Sequence, residues 1–256
     1  MSNNQTVKEK FAIVVLAAGE GKRMKSQLPK VMHLLNGKPL IAHLVEAIRA
    51  SGVVEKPVIV VSKKHSLVQE YFGNTCDYVI QEETLGTGHA VRSTEKFLKG
   101  MADFVCVFYA DHPFVQRQTI QNLKNLVLEN QATLTLLTTK ILNESGPFAF
   151  FNDFGRVLRD NQGRVTAIRE KKDCSPAELL IREVNPGFYC FKADWLWQAL
   201  PRLENKNVQG EYYLTDLVSL AISDQEPVLA KSIDPRECIG INTPEQLALA
   251  EEIWQE

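Results

Sequence analysis

The chain has 256 residues, 45% of them hydrophobic and 23% charged, with 29 basic side chains against 31 acidic ones and a formal balance of -2. Charges of both signs in near-equal number give no long-range field to hold a polyanion, which excludes non-specific nucleic-acid and membrane-surface binding as the main role. The length allows one large domain, or a main domain with a smaller lobe, and either buries a substantial core.

Residues 1–10 are polar and read as an N-terminal tail. The apolar run 11–18 is too short to span a bilayer and leads into Gly19-Glu20-Gly21, so it reads as a buried strand. Helix-period segments at 39–52, 65–72, 86–100 and 119–130 then alternate with strand-like runs at 57–62, 77–81, 103–111 and 132–140. Continuous Val/Ile-rich strands separated by helices describe an α/β protein, with a mostly parallel central sheet flanked by helices. Beyond residue 140 the pattern shortens: 148–151, 155–160 and 163–170 read as strands joined by turns, a small β-rich lobe at about 141–191 within one domain of 11–256. Ser175 and Glu178 form a capping box ahead of a short helix. A strand at 184–191, helices at 193–200 and 211–223, and a strand at 227–233 return the chain to α/β character. The last helix, 243–255, opens with Thr243 as cap, Pro244 at its first position and Gln246 at the capping-box position.

Cys76, Cys106, Cys174, Cys190 and Cys238 are odd in number and lack the close pairs of a zinc ribbon or disulfide framework. A reducing cytoplasm is the expected location.

Three segments carry chemistry. The first is LAAGEGKRM at 16–24, directly after the first strand, followed by Lys25, Pro29 and Lys30. Gly19 and Gly21 permit a tight turn that points N–H groups at an anion, and Ala17 and Ala18 leave room at the strand end. Lys22, Arg23, Lys25 and Lys30 fall within nine positions, a density that suits a triphosphate. The loop is neither the G-x-G-x-x-G fingerprint nor a Walker A loop; its bland alternative is a solvated basic turn. The second segment, Tyr109-Ala110-Asp111-His112-Pro113, puts a carboxylate at the carboxyl end of a central strand, where ligands bind in open α/β sheets and where a lone hard oxygen donor suits Mg²⁺. Its alternative is a cap of the next helix or turn. In the third, QEETLGTGHA at 81–90, Gly86 and Gly88 permit close backbone approach to a flat ring, and Gln81 offers the donor and acceptor needed to read a base edge. Here the alternative is a plain Gly-rich helix start.

Together with GRVLRD, IREKKD, EVNPGFY, NVQGEYYLTDLVSLA and GIN, these motifs, in this order from about residue 11 to the end, resemble the sugar-1-phosphate nucleotidylyltransferases, and within them the N-acetylglucosamine-1-phosphate uridylyltransferases. The resemblance implies a Rossmann-like nucleotidyltransferase fold and an Mg²⁺-dependent reaction of UTP with N-acetylglucosamine 1-phosphate, giving UDP-N-acetylglucosamine, a cell wall precursor, and pyrophosphate. It places Arg23 and Lys30 on the triphosphate as catalytic cations. Leu16, Ala17, Ala18, Gly19, Gly21, Gln81, Gly86 and Thr87 fall in the nucleotide pocket, and Asp111 and Asn242 on the metal. Gly155, Glu170, Asn185 and Tyr213 fall at or near the sugar phosphate. The chain departs from the family pattern at Lys22 (commonly Thr), His112 (a small apolar residue), Pro186 (the Thr of Asn-Thr-Gly) and Asp153 (the first Gly of a Gly-Tyr-Gly-Arg turn). The last departure puts a carboxylate on the sugar side and bears on sugar identity. The hexapeptide repeats of the family's bifunctional members are absent from the sequence, so no acetyltransferase activity is expected, and the oligomeric state is open. The alternatives are another sugar 1-phosphate or NTP, and a non-catalytic nucleotide-sugar binding protein.

Overall fold

The computed structural model describes residues 9–64, 66–141 and 148–255. Most of the expected tail, residues 1–8, lies outside them. In chain order the strands and helices are β1 (Phe11–Leu16), β2 (Leu34–Leu35), β3 (Lys38–Pro39), α1 (Leu40–Ser51), β4 (Val58–Ser62), α2 (Leu67–Phe72) and β5 (Asp77–Gln81). There follow α3 (Thr87–Arg92), α4 (Glu95–Leu98), β6 (Phe104–Tyr109), α5 (Arg117–Asn130), β7 (Leu134–Lys140), β8 (Gly155–Arg159) and β9 (Val165–Arg169). The chain closes with β10 (Glu183–Lys192), α6 (Ala193–Ala199), α7 (Asp216–Ser223), β11 (Val228–Ser232) and α8 (Pro244–Gln255).

One sheet organises the molecule. Its strands run in the order β11-β7-β10-β6-β1-β4-β5, with the β8–β9 hairpin attached to β10. All pairings along that order are parallel except the two made by β10, which enters antiparallel between β6 and β7. This is the mostly parallel sheet flanked by helices that the alternation of apolar runs implied. Strand β1 shows why the runs are continuous: Ile13 and Val15 face one core, while Ala12 and Val14 face the other. Each fully buried side chain of this kind contributes about 1.5–3 kcal/mol. Helices α1 and α5 cover the first face, through Ile41, Leu44, Ile48, Ile120 and Leu123. Helices α6 and α7 cover the second, through Leu196, Leu217 and Val218.

Four local expectations are corrected. The single helix expected over 86–100 is two, because Ser93 Oγ donates to His89 O at 2.9 Å and Thr94 Oγ1 to Val91 O at 2.7 Å, bonds that compete with helix continuation. The strand expected at 148–151 is a 3₁₀ turn over Ala149–Asp153, which sets Phe151 against Phe150 at 5.0 Å and Phe154 at 5.2 Å. The helix expected from 211 begins at Asp216, since the preceding residues are bonded to the start of α3. The Ser175 capping box forms reciprocally (Ser175 N to Glu178 Oε2 2.7 Å, Glu178 N to Ser175 Oγ 3.3 Å) but opens only the 3₁₀ turn Glu178–Leu180.

Among the described residues no helix is long and apolar enough to cross a membrane, and all five cysteines are free thiols.

Candidate active site

Strand order reverses at β1: the chain runs outward through β4 and β5, then returns to place β6 on the other side. Beyond the carboxyl ends of these strands lies the crevice where open α/β sheets bind ligands. A cavity of about 660 Å³ occupies it, lined by Leu16, Ala17, Ala18, Gly19, Gly21, Arg23, Lys30, Gln81, Gly86, Thr87, Asp111 and Asn242, along with Glu20, Lys22, Thr84, Tyr109, Gln209 and Glu211. A second cavity of about 710 Å³ takes Arg23, Asp153, Phe154, Glu170, Lys171, Lys172, Gln209, Tyr213, Gly240 and Asn242 into its wall. Arg23, Gln209 and Asn242 line both, so the two cavities meet there.

The loop after β1 turns through a 3₁₀ segment, Lys22–Met24, entered by Gly21 at φ +61°. A Cβ on Gly21 would lie 2.6 Å from Lys30 Cβ, so glycine both supplies the left-handed backbone and lets Lys30 pack against the loop. The basic cluster separates in three dimensions. Lys22 is drained toward Glu20 at 2.8 Å, Lys25 lines neither cavity, and Arg23 enters no hydrogen bond or ion pair among the described residues. Of the four clustered cations, Lys22, Arg23 and Lys30 line the first cavity, with the Lys22 side chain 85% exposed at its rim.

Lys30 Nζ donates to Asp111 Oδ2 at 2.5 Å and to Asn242 Oδ1 at 2.8 Å. Asp111 stands just past β6. The Asp111 backbone carbonyl accepts from Ile241 N at 2.9 Å, which brings Asn242 alongside. The cap of α8 fixes Asn242 further: Gln246 N donates to Thr243 Oγ1 at 3.2 Å, and Gln246 Oε1 reaches back to accept from Asn242 N at 2.7 Å. Burial pushes the Asp111 carboxyl up, but the Lys30 ammonium and the neighbouring His112 outweigh it and hold it well below the usual carboxylate range. His112 Nδ1 lies 3.1 Å from Asp111 Oδ1 but off the line of a good hydrogen bond, and its ring packs on Phe188 at 4.9 Å. Two hard oxygen donors thus converge on one cationic nitrogen, a donor set that suits a divalent ion completing its shell with waters and phosphate oxygens. No cluster of three acidic, His or Cys ligands occurs among the described residues.

Gly86 has φ +109°, and a Cβ there would lie 2.7 Å from Tyr212 O, so the chain's own 211–212 backbone approaches it closely on that side while Gly86 still lines the first cavity. Gly88 N donates to Tyr212 O at 2.8 Å, and Tyr212 N to Leu85 O at 2.9 Å. Gln81 remains in the cavity wall.

In the wall of the second cavity, Glu170 is half-buried, accepts from Thr215 Oγ1 at 3.1 Å, and has its carboxyl pushed up by desolvation. Burial also lifts the Tyr213 phenol to about 12. Gly155 and Asn185 line neither cavity. They pair with each other between β8 and β10, and the Asn185 amide is spent on Tyr189 Oη at 2.5 Å and Gly187 N at 3.1 Å. The Asp153 carboxylate is paired with Lys171 Nζ at 2.5 Å. Gln209, Glu211, Lys171 and Lys172 also line the cavities; they fall in the IREKKD and NVQGEYYLTDLVSLA motifs, where only Glu170 and Tyr213 carried an expected role.

Residues 13–206 match the family described as MobA-like NTP transferase domain. The chain is 40% identical over 242 residues to the bifunctional protein GlmU of Clostridium tetani, covering 94% of this chain and 52% of that protein. It is 36% identical to the GlmU of Desulfotalea psychrophila, covering 94% and 70%. The chain thus spans about half the length of the first of these relatives and 70% of the second. Among solved structures, a putative glucose-1-phosphate thymidylyltransferase from Bacillus anthracis superposes with a TM-score of 0.76 at 18% identity, covering 96% of each chain. A UDP-glucose pyrophosphorylase complexed with UDP-glucose superposes with a TM-score of 0.75, also at 18% identity, covering 96% of this chain and 98% of that one.

Proposed function

The chain belongs to the MobA-like NTP transferase family and is a nucleotidyltransferase akin to the GlmU proteins, and from that premise we propose that it transfers a uridylyl group from UTP to N-acetylglucosamine 1-phosphate. The observation that carries the reading is the convergence of Lys30, Asp111 and Asn242, with Arg23 beside them, where a nucleotide-sized cavity meets a second one. A phosphate oxygen of the sugar phosphate attacks the α-phosphorus of UTP. The bond to the bridging oxygen of the β-phosphate breaks in line, pyrophosphate leaves with that electron pair, and UDP-N-acetylglucosamine forms. The nucleophile is already anionic at neutral pH, so the protein's work is positioning and charge neutralisation rather than proton abstraction. Arg23, without a hydrogen-bond or ion-pair partner among the described residues and common to both cavities, neutralises the phosphoryl oxygens of both reactants. Lys30 exchanges its carboxylate partner for the triphosphate. Asp111 and Asn242 would hold Mg²⁺, which when bound neutralises phosphate charge in the ground and transition states. Leu16, Ala17, Ala18, Gly19, Gly21, Gln81, Gly86 and Thr87 form the nucleotide wall; Glu170 and Tyr213 face the sugar, with Gly155 and Asn185 supporting them from β8 and β10. Five free thiols support a cytoplasmic location.

A different hexose 1-phosphate is the second reading, favoured by the Asp153–Lys171 pair in the sugar-side wall, which offers an acceptor and a donor to hydroxyl groups. Pyrophosphate release measured with a panel of NTPs and sugar 1-phosphates, with and without Mg²⁺, separates the two. Turnover should require Mg²⁺ and be fastest with UTP and N-acetylglucosamine 1-phosphate. Asp111→Ala should abolish it with the far-UV circular dichroism unchanged; full activity in that variant refutes the metal assignment.

A further inference from the structure

Gln81 is the last residue of β5 and is 4% exposed, yet it lines the first cavity. A glutamine amide can face a ligand in two ways, presenting either its oxygen as an acceptor or its nitrogen as a donor. Here both hydrogens of Nε2 are committed: one to Gly86 O at 3.2 Å, the other to His89 Nδ1 at 3.1 Å. Gly86 O is a carbonyl and only accepts, so the nitrogen must face it. The same nitrogen then meets His89 Nδ1 as an acceptor, which puts the imidazole N–H on Nε2. The amide oxygen meets no donor among the described residues and is the face left for a ligand.

We propose that His89 is a positioning residue for base selection: by accepting from Gln81 Nε2 it holds the amide so that its oxygen meets the base, and the site thereby prefers the N3–H of a uracil to the bare N3 of a cytosine. The inference rests on the uridylyl reading and concerns what enforces it. Uracil and cytosine have the same ring size and differ at N3 in sign alone, one donating and the other accepting, so an oxygen fixed at that position is satisfied by the first and repelled by the second. A turned amide would reverse the preference. Gly86 O alone restrains one of the two amide hydrogens; His89 restrains the other, and because His89 sits one turn into α3, whose start is bonded to the 211–214 segment, the acceptor is held by the fold rather than by a mobile surface group. Leaving a buried donor without its acceptor is the cost that drives the amide to turn once His89 is lost.

The test compares kcat/KM for UTP and CTP, at fixed sugar phosphate and Mg²⁺, in the full chain and in His89→Leu and His89→Asn. Wild type should prefer UTP strongly. His89→Leu, similar in bulk but without an acceptor, should lower the UTP/CTP ratio about tenfold, mainly through KM, in line with the cost of one unsatisfied polar group. His89→Asn, whose Oδ1 takes the place of Nδ1, should restore the ratio to within about threefold of wild type. A merely structural role would slow both nucleotides alike and leave the ratio unmoved. An unchanged ratio in His89→Leu overturns the proposal while leaving the uridylyl reading standing, as does an Asn variant no better than Leu. A wild type that turns over CTP as well as UTP refutes the uridylyl reading and the proposal together.

Discussion

At Gly21 two demands meet in one residue: the backbone takes φ +61°, and the volume of a side chain is already filled by Lys30 Cβ, 2.6 Å from where a Cβ would stand. Gly21→Ala should therefore cost about 1–3 kcal/mol from the left-handed backbone alone. It should also push Lys30 off Asp111 and Asn242. Urea denaturation reads the first effect and the KM for nucleotide the second; a variant with native stability and native KM contradicts this account. Some of the residue-scale chemistry was legible in the sequence. A strand running into small residues, glycines and cations announces an anion site, and an acidic residue closing an apolar run announces a ligand at the sheet edge. Which carboxylate each cation meets was not legible: Lys22 turns to Glu20 and Lys30 to Asp111 because of where the loop folds, and nothing in their spacing distinguishes them.

Elements are held by contacts from far along the chain, and α5 is the clearest case. Gln116, at its cap position just before Arg117, makes no side-chain cap; Glu237, on the 3₁₀ turn Pro235–Cys238, supplies one, accepting from Gln116 N at 2.9 Å and Thr119 Oγ1 at 2.8 Å. Glu237→Ala should cost about 1–2 kcal/mol, the value of a lost cap with a buried donor left unsatisfied. The pH dependence has a definite sign. Burial raises the Glu237 carboxyl above its ordinary 4.5, so the folded protein keeps this proton where the unfolded chain has released it. Its contribution to stability is fully present below 4.5 and is lost as pH rises through the raised value. Glu237→Gln keeps an acceptor for Gln116 and a donor for Thr119 without a titrating proton, so its urea midpoint should fall less between pH 5 and pH 8 than that of wild type. Equal slopes would show that Glu237 is not the titrating group. The β2–β3 hairpin shows another limit. Asn36 at φ +47° and Gly37 at φ +77° make its turn, an Asn-Gly signal present in the sequence but attached to strands of only two residues each, too short for any alternation to show.

Over the whole molecule, β10 decides the shape of the site. By entering antiparallel between β6 and β7 it carries the β8–β9 hairpin to the second cavity and stands Cys190 opposite Cys106 in the core, their sulfurs 3.0 Å apart. Four thiols, Cys76, Cys106, Cys190 and Cys238, are buried, and Cys174 is half-buried. An Ellman titration should therefore modify one thiol quickly in the native protein and all five in denaturant, with Cys174→Ser removing the fast phase. Rapid reaction of a second thiol would place one of the core strands at the surface.

The amino-acid order by itself determined the α/β layering, since a strand buried on both faces must be apolar throughout, and a covering helix must repeat its apolar residues every three or four positions. It also determined the two segments, after β1 and β6, that bring glycine, cations and a carboxylate to one cavity. Tertiary structure alone decided that Asn242, 131 positions beyond Asp111, shares a cation with it, that the 211–214 segment fills the space beside Gly86, and that Asn185 is spent within the sheet. Periodicity reports which face of an element meets the core; it carries no record of which distant loop closes over the end of a strand, because that is settled only when helices and sheet have packed.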